Sequence, residues 1–231
     1  MKTLCVLQHT EAEFLGLLED HLEGRNIRFH YVRPFSPGAK MPATADGYAG
    51  LVLLGAGPLG VVSGKLISSL DAELRLARGF IDRGLPVIGL GVGACILSTA
   101  AGGGAQEAPL RFVVEQARRT APDALNGHLP ETFPVAVYMR DRPVLPSENE
   151  VLAVDESGQA VVFQCAENCF GFLGHPGVKS AMIEDLIMEF DEAPQNTEET
   201  LASLRAAQGQ IASTLGEIMI GLVEATHLME L

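Results

Sequence analysis

The sequence predicts an α/β fold: a three-layer sandwich with a mostly parallel central sheet, followed by a long C-terminal helix. Three observations carry that expectation. Leu51-Val52-Leu53-Leu54 and Pro86-Val87-Ile88-Gly89-Leu90 are continuous apolar runs beside glycines, the pattern of strands buried on both faces. Such strands alternate with stretches of helical periodicity through glycine-rich joints, as in a parallel sheet covered on both sides. At the end of the chain, Leu201, Leu204, Gln208, Ile211, Leu215, Ile218, Leu222, Ala225 and Met229 are spaced alternately three and four apart. That spacing is a heptad seam with one polar position, Gln208.

The elements follow in order. Leu4 to Leu7 is a short first strand. A helix is expected over Ala12 to Glu23, with Phe14, Leu15, Leu18 and Leu22 on one face. Ile27 to Val32 mixes β-branched and aromatic residues and reads as the second strand, ended by Pro34 and Pro37. After the Leu51–Leu54 strand, Leu66 to Gly79 predicts a helix whose inner side is Leu66, Leu70, Leu74 and Ala77. The Pro86–Leu90 strand leads into a helix from Gly93 to Ala101, stopped by Gly102-Gly103-Gly104. The middle changes character. Arg111 to Val114, Val135 to Met139, Val151 to Val154, Ala160 to Cys165 and Cys169 to Leu173 are short strands between polar turns, with Ala166-Glu167-Asn168 as a hairpin connection. This part of the sheet is expected to be antiparallel or mixed. Val178 to Phe190 returns to helical periodicity.

The organisation is therefore one domain over residues 1–190, a polar linker over 191–199 containing Pro194, and an amphipathic helix over 200–231. Thr197 or a neighbour is placed to cap that helix, with Glu198 and Glu199 near its positive end. Its apolar stripe suits either packing on its own domain or pairing with another subunit, because both need one stripe.

Composition excludes several classes. With 231 residues and 47% apolar side chains, the chain can bury a sizeable core and is not disordered. A net charge of −13, with no local basic cluster, opposes binding to nucleic acid or anionic lipid. Four cysteines do not make a disulfide framework. The N-terminus does not read as a signal peptide, and no run approaches the roughly 18 apolar residues of a membrane span. The cytoplasm is the expected compartment.

Two glycine-rich joints follow buried strands. Gly55-Ala56-Gly57-Pro58-Leu59-Gly60 lacks the spacing of a dinucleotide or phosphate loop, and Gly64-Lys65 is followed by Leu66 rather than serine or threonine. Gly89-Leu90-Gly91-Val92-Gly93-Ala94-Cys95 has the strand-to-helix form of a nucleophile elbow, but the elbow position, Gly91, has no side chain.

These segments resemble the class I glutamine amidotransferase family. Members read as a strand into Gly-Gly-Pro, then P-V-(L/I)-G-(I/V)-C-x-G-x-Q with a closing glycine pair, and later G-(V/I)-Q-F-H-P-E. This chain has Gly55-Ala56-Gly57-Pro58, Pro86 to Cys95 with Gly102-Gly103, and Gly171-Phe172-Leu173-Gly174-His175-Pro176-Gly177. The likeness spans roughly residues 1 to 190 and implies a flavodoxin-like fold. The family's nucleophilic cysteine falls on Gly91, its motif glutamine on Cys95 and its triad glutamate on Gly177. Its motif glycine is kept as Gly93 and its histidine as His175. A cysteine–histidine–carboxylate triad is thus incomplete, and no catalytic residue is assigned with confidence. The resemblance implies oxyanion or ligand contacts from backbone amides near Gly57, Val92 and Gly93.

Cys95 is the one nearby thiol, four residues past the elbow. It lies about 6 Å deeper along a helix, from the 1.5 Å rise per residue, and is expected to be a small buried hydrophobe. His175 is open to two roles, ligand contact or structure. Cys165, Cys169 and His175 are spaced C-x3-C-x5-H beside Glu167, which falls short of a four-ligand zinc site; neither metal nor cofactor is expected. Asp155-Glu156 and Glu184-Asp185 are adjacent pairs that do not share a face, and Glu189, Asp191 and Glu192 read as solvated surface.

Three functions stay open. The first is an amidotransferase-like subunit, scaffold or regulator without glutaminase activity. The second is a glutamine amidotransferase using a displaced nucleophile such as Cys95. The third is a sensor of an amino-acid-like ligand. The expected partners are a second copy of the chain or a separate protein, with a small amino-acid-like ligand, and neither nucleic acid nor membrane.

Overall fold

The fold comes from a computed structural model and is described for residues 1–229. A nine-stranded sheet forms its centre. The strands are β1 (Thr3–Leu7), β2 (Arg28–Val32), β3 (Gly50–Leu53), β4 (Val87–Leu90), β6 (Arg111–Arg119), β7 (Thr132–Met139), β9 (Glu150–Val154), β10 (Ala160–Ala166) and β11 (Cys169–Phe172). Their order is β2-β1-β3-β4-β11-β10-β9-β6-β7. From β2 to β11 the pairing is parallel, with Val6 opposite Tyr31 and Val52, and Ile88 opposite Val52 and Phe170. From β11 to β7 it is antiparallel. The expected change from parallel to mixed pairing therefore falls at β11, the strand that pairs both ways. The short pair β5 (Gly104–Gln106) and β8 (Arg142–Val144) makes a separate antiparallel sheet.

All four residues of β3 and of β4 are buried, as their unbroken apolar runs require. The helices α2 (Leu70–Asp82) and α3 (Val92–Ala100) pack on each other and on β3 and β4. The helices α1 (Leu18–Glu23), α4 (Ser180–Glu189) and α5 (Thr197–Ala225) form a second group, in which α5 lies on β6 and β7. α3 sits so close to the sheet that a Cβ on Gly93 would collide with the Leu53 carbonyl, and one on Gly89 would lie 2.5 Å from the Gly93 carbonyl oxygen.

Several expected boundaries shift. The helix expected over Ala12–Glu23 shortens to Leu18–Glu23. Gly16 has φ +62°, a left-handed conformation that interrupts a helix, and the residues before it turn inward. The second helix starts at Leu70, and its buried face is Glu73, Leu76, Ala77 and Phe80; Leu66 is 49% exposed. α5 begins inside the expected linker and ends at Ala225, so Met229 lies beyond the helix and is exposed, while residues 230 and 231 of the expected 200–231 segment lie outside the described residues. Its N-cap is Asn196 at φ +58° without a side-chain cap bond; Thr197 instead donates its hydroxyl to the Pro194 carbonyl.

Candidate functional site

Four chain segments meet at the carboxyl ends of β1, β3, β4 and β11, the edge at which open parallel sheets place ligands. They bring His9, Gly55 to Gly57, Gly91 and His175 together. Gly91 is the residue between β4 and α3, at φ +56° and ψ −126°, with its N–H donating to the Phe172 carbonyl at 2.9 Å. That turn is the elbow that the glycine spacing predicted, and it presents no side chain to the pocket.

His175 is buried, and both ring nitrogens are engaged. Nε2 lies 2.8 Å from the Phe14 carbonyl oxygen, and Nδ1 lies 3.2 Å from the Gly177 amide nitrogen. The amide can only donate and the carbonyl can only accept, so the proton sits on Nε2 and Nδ1 is the acceptor. Burial pushes the His175 pKa down to about 4, so the ring is neutral at pH 7. Its neighbour Gly177 is pressed against α1: a Cβ there would collide with Leu18 Cδ1 and lie 3.0 Å from the Leu18 nitrogen. The Gly177 carbonyl accepts from Leu17 N at 2.9 Å. A side chain at Gly177, the position that the resemblance aligns with the triad glutamate, would require Leu18 to shift.

Glu13 enters the pocket from the segment after β1. It is 6% exposed, and the Gly57 amide donates to its Oε2. A Cβ on Gly55 would collide with the same carboxylate. Burial raises the Glu13 pKa to about 7, against the lowering effects of the Gly57 amide and of His9; Glu189 adds to the rise. The Gly57 amide, one of the oxyanion donors implied by the resemblance, thus already holds a carboxyl oxygen from this chain.

Behind it lies a buried ion pair. His9 Nδ1 donates to the Gly55 carbonyl at 2.9 Å, and Nε2 donates to Glu73 Oε2 at 2.8 Å. Burial lowers the His9 pKa, but Glu73, with smaller help from the Gly55 carbonyl and Glu13, outweighs it and raises the value to about 9. Burial likewise raises Glu73, while His9 and the Ser69 hydroxyl bring it below the usual carboxylate range. The ring is therefore cationic and the carboxylate anionic at pH 7. A closed cavity of about 10 Å³ remains between Glu13, Gly55, Gly91, Tyr138, His175 and Met182. Tyr138 is among the residues that line it, and its buried hydroxyl has no hydrogen-bond partner among the described residues.

Of the remaining expected residues, Val92 and Gly93 are buried in the first turn of α3. Cys95 is fully buried one turn on, and burial, with Asp141 adding, pushes its thiol well above the usual range. A thiol held protonated in apolar surroundings is a poor nucleophile. Cys165 and Cys169 flank the β10–β11 hairpin, away from the His175 ring nitrogens, which are taken by Phe14 and Gly177. Glu189, expected as solvated surface, is exposed but also accepts from the Glu11 and Ala12 amides.

The sequence-based site omitted His9, Glu13, Glu73 and Tyr138. Two signals were present. Gln8-His9-Thr10 directly follows a buried strand, and Glu73 interrupts the apolar stripe of α2, where a charge is costly unless paired. Glu13 gave no such signal, because its inward turn depends on Gly16 breaking the helix.

The fold is that of the class I glutamine amidotransferases. A glutamine amidotransferase from Methylobacillus flagellatus superposes with a TM-score of 0.83 at 19% identity, over 98% of this chain and 96% of that one. A glutamine amidotransferase from Thermotoga maritima gives 0.78 at 18% identity, over 97% and 98%. A candidate GMP synthase subunit from Thermoplasma acidophilum gives 0.60 at 20% identity, over 90% and 98%. No protein-family model matches the sequence, and no curated protein matches it.

Proposed function

We propose that this chain is a glutamine amidotransferase-like protein without glutaminase activity, acting as a subunit or regulator that binds a small ligand. The observation that carries this is Gly91 at the elbow, in front of a neutral His175 with both nitrogens engaged. Acyl transfer from glutamine needs a thiolate, a base that has taken its proton and a group that orients the base. Here the first is missing, the second has no thiol to serve, and the third falls on Gly177, which has no side chain and is packed against Leu18. Cys95 does not replace the nucleophile, since it is buried one helical turn away with its thiol protonated. The described helices include none long and apolar enough to cross a membrane. The likeness to a candidate synthase subunit supports the role as one component of a larger assembly. A second copy of the chain is the alternative partner.

The test is ammonia release from L-glutamine by the purified protein, in a coupled assay. The expected rate is no higher than the background without protein. Ammonia release that a Cys95→Ser substitution abolishes would establish the displaced-nucleophile enzyme instead.

A further inference from the structure

We propose that residues 10–17 form an autoinhibitory strap. In it the Glu13 carboxylate occupies the place of a small carboxylate ligand, which enters when the strap swings out. This rests on the reading of the pocket as a non-catalytic binding site.

The strap is a distinct unit. Its residues 10–17, between β1 and α1, have no helix or strand of their own and are held by the burial of Ala12 and Leu15 and by hydrogen bonds. The Glu13 amide donates to Thr10 Oγ1 at 3.1 Å, and the Glu11 and Ala12 amides donate to Glu189 at 3.4 and 3.2 Å. The Leu15 amide donates to the Tyr31 hydroxyl oxygen at 2.9 Å, His175 donates to the Phe14 carbonyl, and Leu17 donates to Gly177. These partners come from β2, from α4 and from the His175–Gly177 turn. At Gly16 the chain takes φ +62°, and a Cβ there would collide with the Gly177 carbonyl. That glycine is the natural pivot.

Removing the strap would uncover a defined set of groups. The Gly57 amide would lose Glu13, and His175 Nε2–H would lose the Phe14 carbonyl. Tyr138, whose hydroxyl is already unpartnered, lines the same cavity. The Gly57 amide, the His175 Nε2–H and the Tyr138 hydroxyl are donors suited to a carboxyl group, and Glu189, exposed on α4, is the anion that stays near the site once Glu13 leaves. His9 lies behind Gly55 with both ring nitrogens taken by the Gly55 carbonyl and Glu73, so it is not itself a ligand contact. The cavity that remains closed is far too small for a ligand beside Glu13. Ligand and Glu13 therefore exclude each other.

The test compares the wild-type chain with Glu13→Ala, which removes a group the size of acetate. Both are titrated with sodium acetate against sodium chloride at equal ionic strength, following thermal stability and NMR line broadening of labelled acetate. Glu13→Ala is expected to bind acetate saturably and at least tenfold more tightly than wild type. A folded Glu13→Ala that binds acetate no better than wild type would overturn the proposal. Hydrogen exchange on the wild-type chain decides the matter should the variant not fold. The amides of Glu11, Ala12, Glu13, Leu15 and Leu17 are expected to exchange as one group, at least a hundredfold faster than Cys5 to Leu7 in β1. Exchange of those amides together with the β1 core would show that the strap does not open separately. Ammonia release from either protein, measured in parallel, would overturn the non-catalytic reading and leave the strap to be judged by binding and exchange.

Discussion

Single residues decide the chemistry of this pocket, and their charges make it sensitive to pH. Glu13 is raised to about 7 when buried, against 4.5 for an ordinary glutamate. A group with a raised pKa in the closed state favours that state fully at pH below the ordinary value. The advantage falls as pH rises through the closed-state value. The charged and titratable groups facing Glu13 are His9 after β1, Glu189 of α4, Tyr138 of β7 and His175, which is already neutral above about pH 4, beside the Gly57 amide. Of these, His9 keeps its charge up to about pH 9, and burial with the Glu13 and Glu192 charges pushes Tyr138 up to about 12. Strap opening should therefore grow between pH 5 and 7.5, seen as exchange at the Leu15 and Leu17 amides that accelerates beyond its intrinsic tenfold per pH unit. His9 has the same sign at higher pH: its raised pKa of about 9 gives stability present below pH 6.5 and lost as pH rises through 9. The melting temperature should fall between pH 7 and 9.5, and His9→Gln should flatten that fall; an equal slope in the variant would contradict the ion pair. Placing a thiol at the elbow makes a third case. Gly91→Cys places a side chain at φ +56° with its Cβ 3.3 Å from Gly55 Cα, at a cost of about 1–3 kcal/mol of stability. It should gain no glutaminase activity, because both His175 nitrogens remain held by Phe14 and Gly177. Turnover of glutamine by this variant in the coupled assay would show that the thiol alone was lacking.

At the scale of elements, two devices hold the pocket's surroundings. Asp141, 1% exposed at the turn between β7 and β8, accepts from the Val61, Val62 and Ser63 amides at 2.8, 2.8 and 3.2 Å and from the Ser63 hydroxyl. It thereby ties the glycine-rich segment after β3 to the antiparallel half of the sheet. Those bonds to the carboxylate hold its pKa below the usual range against the rise that burial brings, so the tie is anionic at pH 7. The second device is α5. Leu204, Ile211, Leu215, Ile218 and Leu222 of its seam are buried in its own chain, and so are Met219, Gly221 and Val223 beside the seam. Gln208, the polar seam position, donates to the Val178 carbonyl at 3.2 Å. The apolar face is thus broader than a two-residue-per-heptad seam, as for a helix lying on a globular core. Leu215→Ala should cost about 2–5 kcal/mol in denaturant unfolding, as for a buried leucine emptied to a cavity. A cost below about 0.5 kcal/mol, the range of an ordinary surface substitution, would mean that this face does not pack in solution as it does here.

At the scale of the molecule, the parallel half of the sheet positions the pocket and the antiparallel half, with α5, closes its flank. Leu204 and Ile211 share a cluster with Phe112, Ala136, Tyr138, Ile183 and Leu186, which connects the C-terminal helix to the strand carrying the pocket tyrosine. Ending the chain before Thr197 would uncover that cluster. The shortened protein should bind a hydrophobic dye and aggregate, whereas the full chain should do neither; an unchanged, soluble shortened protein would show that α5 is an appendage. The net charge of −13 disfavours nucleic acid at this scale as it did in composition.

Much of the fold was legible in the sequence because its signals are local. Strands such as β3 and β4 are buried on both sides, so every residue is apolar, and α5 carries its stripe in its own spacing. Gly91, Gly177 and His175 were likewise visible as departures from, or matches to, a resembled motif. Tertiary structure alone decided that Glu13 turns inward and sits on the Gly57 amide, that His175 is neutral through burial and held by the Phe14 carbonyl, and that His9 pairs with Glu73 across 64 positions of sequence. It also decided which residues of the second helix face inward, where Glu73 rather than Leu66 is buried. The physical reason is common to all of these. A polar group's state depends on the partner that burial forces on it, and that partner is set by how distant segments pack.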